Sequence, residues 1–173
     1  MTGIVTVFAF PILYLALSFA AAASSAVDEF VPWRGEPREQ VRELVQEQQA
    51  FLLETVPLVR GESLFRSKVE DMERIPAFHI DGIYWVDGRS KDGSVAFHLS
   101  RPFSVPLEGS SMLIYDPGDA VHERYARFCK SMPLLSQTED TWHWEGGGLG
   151  GSGHTIVHRI AGNWFYVETY IPM

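Results

Sequence analysis

Apolar residues in this 173-residue chain change their period once, and that change limits the folds open to it. Val41, Leu44, Val45, Phe51, Leu52 and Val56 recur at helical spacing, while Arg38, Glu39, Arg42, Glu43 and Glu47 fill the opposite face. Pro37 suits the first turn of such a helix, where its missing N–H costs nothing, and Pro57 ends the run. After Pro76 the spacing becomes two. Residues 77–80 and 83–86 flank Asp81-Gly82, a pair that favours a two-residue type I′ turn. The predicted hairpin pairs Ile80 with Ile83, Phe78 with Trp85 and His79 with Tyr84. Further strands are expected at 94–100, 111–115, 141–145, 154–160 and 164–171, with Gly162 in a tight last turn.

Two helical pieces interrupt this alternation. A short one is expected within 63–74, from Leu64, Phe65, Val69 and Met72. A longer one starts with Asp116 as N-cap and Pro117 at its first position, and runs to about residue 131. Val121, Tyr125, Phe128, Cys129 and Met132 fall on one face of it, which predicts burial of the lone cysteine and excludes an internal disulfide. The pattern is α+β: a single domain whose antiparallel β-sheet is built of hairpins, with an N-terminal amphipathic helix and a second helix before the last three strands. The helices are expected on one face of the sheet.

The domain is preceded by a targeting signal. No charged side chain occurs before Asp28, residues 4–20 are strongly apolar, and Ala21, Ala23, Ser24 and Ala26 supply the small residues that a signal peptidase requires. Residues 1–26 therefore read as a signal peptide, 27–36 as a linker and 37–173 as the domain, placing the protein in the periplasm or outside the cell. The alternative is an uncleaved membrane anchor through 4–26. Composition excludes other classes: 46% apolar and 21% charged residues fit a globular domain. A net charge of −8 with neither half basic leaves no nucleic-acid footprint.

Three patterns could carry chemistry. In the glycine tract 146–153, Gly146, Gly148 and Gly151 satisfy G-x-G-x-x-G, but a strand follows where phosphate binding needs a helix. Ser152 is followed by Gly153-His154, so no nucleophile elbow forms. The tract reads as a flexible hairpin loop. Asp87, Ser90 and Asp92 lack the order of a calcium loop.

The six histidines are the second pattern: His79, His98, His122, His143, His154 and His158. If Glu145 lies opposite His154, then His143 meets Ile156 and Thr141 meets His158. Three imidazoles and a carboxylate then share a sheet face, a set suited to zinc and to a metal-dependent hydrolase using His143, Glu145, His154 and His158. Against this, the last turn would put Ile156 and Ile160 beside Phe165, Val167 and Ile171, leaving His154 and His158 as structural residues in an apolar row. That favours no metal and no cofactor.

The third pattern is aromatic. Trp142 and Trp144 alternate on one strand, and Trp164, Tyr166 and Tyr170 on the last. If the two faces coincide they form a platform, with Arg159 and Glu168 beside it, of the kind that binds ligands through rigid area. Trp142, Trp144, Arg159, Trp164, Tyr166 and Tyr170 are the ligand-binding residues of this reading. The function expected is an exported, non-catalytic binding domain for a protein partner or a small ligand outside the cytosol. Membrane contact is expected only if the N-terminal segment stays uncleaved.

Overall fold

The structure, a computed structural model, describes residues 36–100, 109–148 and 151–170. The expected signal segment, and the linker up to residue 35, lie outside them. Helix α1, Glu36–Leu58, begins at the Pro37 turn. It buries Val41, Leu44, Val45 and Leu52, while Phe51 remains exposed. Among the described residues no helix is long and apolar enough to cross a membrane.

Eight strands follow: β1 Ser63–Phe65, β2 Ile83–Asp87, β3 Val95–Leu99, β4 Gly109–Tyr115, β5 Leu134–Gln137, β6 Thr141–Gly148, β7 Gly151–Ala161 and β8 Trp164–Tyr170. They form one antiparallel sheet in the order β1-β2-β3-β4-β8-β7-β6-β5. Two four-stranded meanders meet where β4 pairs with β8. The α+β class and the single antiparallel sheet are as the sequence pattern requires. Short helices α2, Val69–Arg74, and α3, Val121–Phe128, lie in the connections.

The helices cover both faces of the sheet, not one. On the first, here the α1 face, Val41, Leu44, Val45 and Leu52 pack with Val86, Phe97, Leu113, Trp164 and Tyr166. On the second, the α3 face, Val121 and Cys129 pack with Ile114, Trp142, Trp144, Val157, Phe165 and Val167. Each fully buried Phe, Leu or Val contributes about 1.5–3 kcal/mol, so both layers are substantial.

Several local expectations are corrected. Residues 76–79 form a 3-10 turn in place of a strand. Pro76 has no N–H to donate to a ladder, and the Ala77 amide is taken by the Thr55 hydroxyl of α1 at 2.9 Å. Gly82 does adopt a positive φ of 89°, so Asp81-Gly82 is a turn, but it delivers the chain into β2 and closes no hairpin. β2 pairs instead with β1 and β3, so residues 63–65, expected in a helix, are an edge strand. Gly88, just past β2, has no room for a side chain: a Cβ there would overlap the Val59 carbonyl.

Asp116 caps a turn ahead of α3. Its carboxylate accepts from the Gly118 and Ala120 amides at 2.9 and 3.0 Å, so the helix begins only at Val121, and Phe128 at its end is 66% exposed. β5 adds a fourth strand after α3. The glycine tract is mostly ladder: Gly146 faces Gly153, Gly147 faces Ser152 and Gly148 faces Gly151.

Candidate functional site

The β6–β7 register is the one in which Glu145 opposes His154, His143 opposes Ile156 and Thr141 opposes His158. Across β8 and β4 the same rows continue. Thr141, His158, Tyr166 and Leu113 make the first, His143, Ile156, Glu168 and Ser111 the second, and Glu145, His154, Tyr170 and Gly109 the third. Opposed residues of an antiparallel sheet share a face, so His143, Glu145, His154 and His158 all project from the α1 face.

The apolar row expected around His154 and His158 forms only in part: Ile156 and Ile160 share their face, but Phe165 and Val167 do not. A β-bulge between Arg159 and Ala161 adds one residue to β7, so Arg159, not Ile160, opposes Phe165. One extra residue exchanges the faces of a strand relative to its partner. The histidines therefore sit beside Tyr166, Glu168 and Tyr170, and Phe165 and Val167 turn to the α3 face.

Nine of these twelve positions carry groups that hydrogen-bond or titrate, and the deepest are covered: Tyr166 is 0% and Glu168 6% exposed. His158 Nδ1 lies 3.0 Å from the Thr141 hydroxyl, and the Tyr166 hydroxyl lies 3.4 Å from that of Ser111. His154 stacks on Tyr170 at 5.2 Å and meets the edge of His143 at 6.1 Å. Burial pushes the Glu168 carboxyl above the usual range, against the Tyr166 hydrogen bond that favours its charge. Burial likewise raises the Tyr166 phenol, and Glu168 raises it further.

His158 and His154 are driven the same way, toward neutrality. Burial lowers His158 to about 4, assisted by Arg38, His143 and Arg42. Burial and His143 lower His154, with Glu145 opposing. Desolvation thus pushes His154, His158, Tyr166 and Glu168 toward their uncharged forms. In the structure no three His, Cys, Asp or Glu among the described residues converge as metal ligands.

The aromatic platform divides between the faces. Trp164, Tyr166 and Tyr170 belong to the α1 face, the first two as buried core. Trp142 and Trp144 lie on the α3 face, 8% and 5% exposed, with His122 stacked on Trp142 at 4.7 Å. Arg159 is also on the α3 face, its guanidinium 4.8 Å from the Phe165 ring centre and paired with Asp119 at 2.7 Å.

A different aromatic set lies on that α3 face. Phe65, Trp85 and His98 come from β1, β2 and β3 and stack in series at 5.1 and 3.7 Å. Trp85 Nε1 donates to the Ser63 hydroxyl at 2.7 Å. Burial pushes His98 down to about 4, against the nearby Asp87 charge. Beside this stack a groove of about 790 Å³ runs between the sheet and α3. Ala96, Met112 and Ile114 floor it, Tyr125 and Phe128 wall it, and Ser90, Ser110 and Thr169 line its rim.

Both arginines of the groove are already engaged. Arg124 pairs with Asp116 at 2.8 Å and Asp92 at 3.1 Å and donates to the Ser94 hydroxyl at 2.7 Å. Arg89 pairs with Asp87 at 3.0 Å. Sequence reasoning missed the groove because its floor comes from separate strands, each contributing one or two ordinary apolar residues. The alternation of Trp85 with Val86, and of Ala96 and His98 with Phe97, was its one available signal. Comparison with protein-family models, with curated proteins and with solved structures finds no match to this chain.

Proposed function

We propose that the protein is an exported, non-catalytic binding domain that takes a neutral, amphipathic small molecule into the α3-face groove. The observation that carries this reading is the groove itself. Its volume of about 790 Å³ lies within the range of small-molecule sites, roughly 300–1,000 Å³. Its sheet floor is apolar, with Ala96 and Met112 only partly buried against the core, and Phe128 on its wall is exposed. The aromatic sheet face of the sequence reading is retained with other members. Tyr125 and Phe128 line the groove, and the stack of Phe65, Trp85 and His98 lies on the same sheet face, with His98 opposite Met112 of the groove floor.

Charge selects the ligand class. Arg89 and Arg124 are each satisfied by carboxylates, so an anionic head would meet Asp87 and Asp92 without an uncommitted cation among the described lining residues. Hydroxyls on the rim suit a neutral, hydroxylated head, and the floor suits a short hydrocarbon body. Export is supported by the uncharged apolar run and the small residues at 21–26. An N-terminus close to residue 24 or 27, read by mass spectrometry of protein from its native host, is the expected result.

Octyl β-D-glucoside below its micelle concentration is a direct probe. Calorimetry should give one saturable site, with octyl sulfate weaker and glucose alone undetected. Ala96→Trp fills the floor and should weaken binding at least about tenfold, a loss of roughly 1.4 kcal/mol. Unchanged affinity in that variant would overturn the assignment.

A further inference from the structure

The α1 face holds a second arrangement, independent of the groove. His143 and His154 occupy neighbouring strands on the diagonal, and Glu145 stands directly across from His154. The two rings are nearly perpendicular, at 83°, with centres 6.1 Å apart. Imidazoles that share one zinc ion at about 2.1 Å from each nitrogen keep ring centres about 5–6 Å apart. The observed separation is thus close to that of two imidazoles on one ion, although the side chains do not converge as ligands in the structure.

The surroundings favour such a site. Tyr170, stacked 5.2 Å from His154, fixes the plane in which the His154 nitrogens lie, as contacts around metal-bound histidines commonly do. Cβ atoms of an opposed antiparallel pair sit about 5 Å apart, which puts the Glu145 carboxylate within reach of the same point, and its charge acts on His154. All three residues are half-buried, open enough for an ion to enter. His158 differs: its Nδ1 is held by Thr141, and the Arg38 and Arg42 charges act on it, which disfavours a dication there.

We propose that His143, His154 and Glu145 bind one borderline divalent metal ion (zinc, nickel or copper) with a fourth position open to solvent and with His158 excluded. Two imidazoles and a carboxylate are a donor set that such ions accept. The backbone register already places the donors, and the ion draws the side chains together.

The test is calorimetric titration of the full chain with zinc chloride at neutral pH, after treatment with and removal of a chelator. One ion per chain is expected. His143→Ala and His154→Ala should each weaken binding at least about tenfold, and Glu145→Gln about tenfold, the scale on which donors and their supports act. His158→Gln should stay within about twofold of the parent, below 0.5 kcal/mol by the tenfold rule of about 1.4 kcal/mol. Copper(II) loaded on the parent should show two imidazole nitrogens by electron paramagnetic resonance, and one in His143→Ala, which keeps the test alive if His154→Ala fails to fold. Any of three results overturns the site: no binding at millimolar zinc, binding that survives the His143→Ala/His154→Ala double variant, or an equal loss in His158→Gln.

Discussion

Beside their apolar cores, the two faces of the sheet depart from the usual distribution of polarity in opposite ways. On the α1 face the covered positions include Glu168, Tyr166 and Ser111, and three histidines stand among them. On the α3 face Phe128 is exposed and Met112 and Ala96 are only partly buried, beside a ring stack ending at exposed Phe65. Buried polar groups and exposed apolar ones are the informative departures from ordinary burial. Each departure has a separate physical support. Desolvation pushes Glu168, Tyr166, His154 and His158 toward their neutral forms. On the other face α3 packs over Ile114 and the β6–β8 core and leaves Phe65 of β1 and its own Phe128 exposed.

Truncation should separate the faces most sharply. Trp142→Ala removes a buried ring from the α3-face core and should cost about 3–5 kcal/mol, measured by chemical denaturation. A loss under about 1 kcal/mol would show that this layer is not packed core.

The next largest effect is that of pH, and it tests both faces at once. Unfolded histidines take up a proton near 6.5, whereas folded His158 and His98 do so only near 4. Between those values the unfolded chain binds more protons, so stability is fully present above about 6.5 and falls as the pH drops toward 4. Each histidine should account for on the order of 1 kcal/mol or more of that fall. His158→Gln removes the share of the α1 face and His98→Gln that of the α3 face. A melting temperature flat from pH 7 to 4 would contradict burial of both rings.

Gly82→Val strains the turn that delivers β2, the strand sending Val86 to one face and Trp85 and Asp87 to the other. At a φ of 89° a β-branched residue should cost about 1 kcal/mol or more. An unmoved melting temperature would place the turn elsewhere. Glu168→Gln should have the smallest effect, under about 1 kcal/mol at acid pH, because the amide imitates a protonated carboxyl. The raised carboxyl contributes stability fully present below its unfolded value and lost as the pH rises through its folded one. The variant should therefore flatten that alkaline-side decline. A steeper decline would mean that Glu168 is ionised when buried.

Sequence periodicity was enough for the α+β class, for α1 and for most strands, since alternation of Trp142 and Trp144 with His143 and Glu145 is visible without coordinates. The register that unites His143, Glu145, His154 and His158 was one that the sequence allowed but did not fix, because the loop between the two strands left it open. Periodicity failed where one residue decides a face. The bulge at Ile160 is silent in composition, yet it moves Phe165 and Val167 away from the histidines. It failed again at 77–80, where apolar residues alternate as a strand would but Thr55, distant in the chain, claims the Ala77 amide. The groove was illegible for a third reason: it depends on which strands neighbour one another, and β4 meets β8 only after the whole second meander has formed.

The most direct measurement is amide chemical-shift mapping of the full chain titrated with octyl β-D-glucoside. Shifts should concentrate at Ala96, Met112, Arg124, Tyr125 and Phe128 and leave His143, His154 and Tyr170 unmoved. Shifts centred on the histidines, with the α3 groove silent, would contradict the division of roles between the faces.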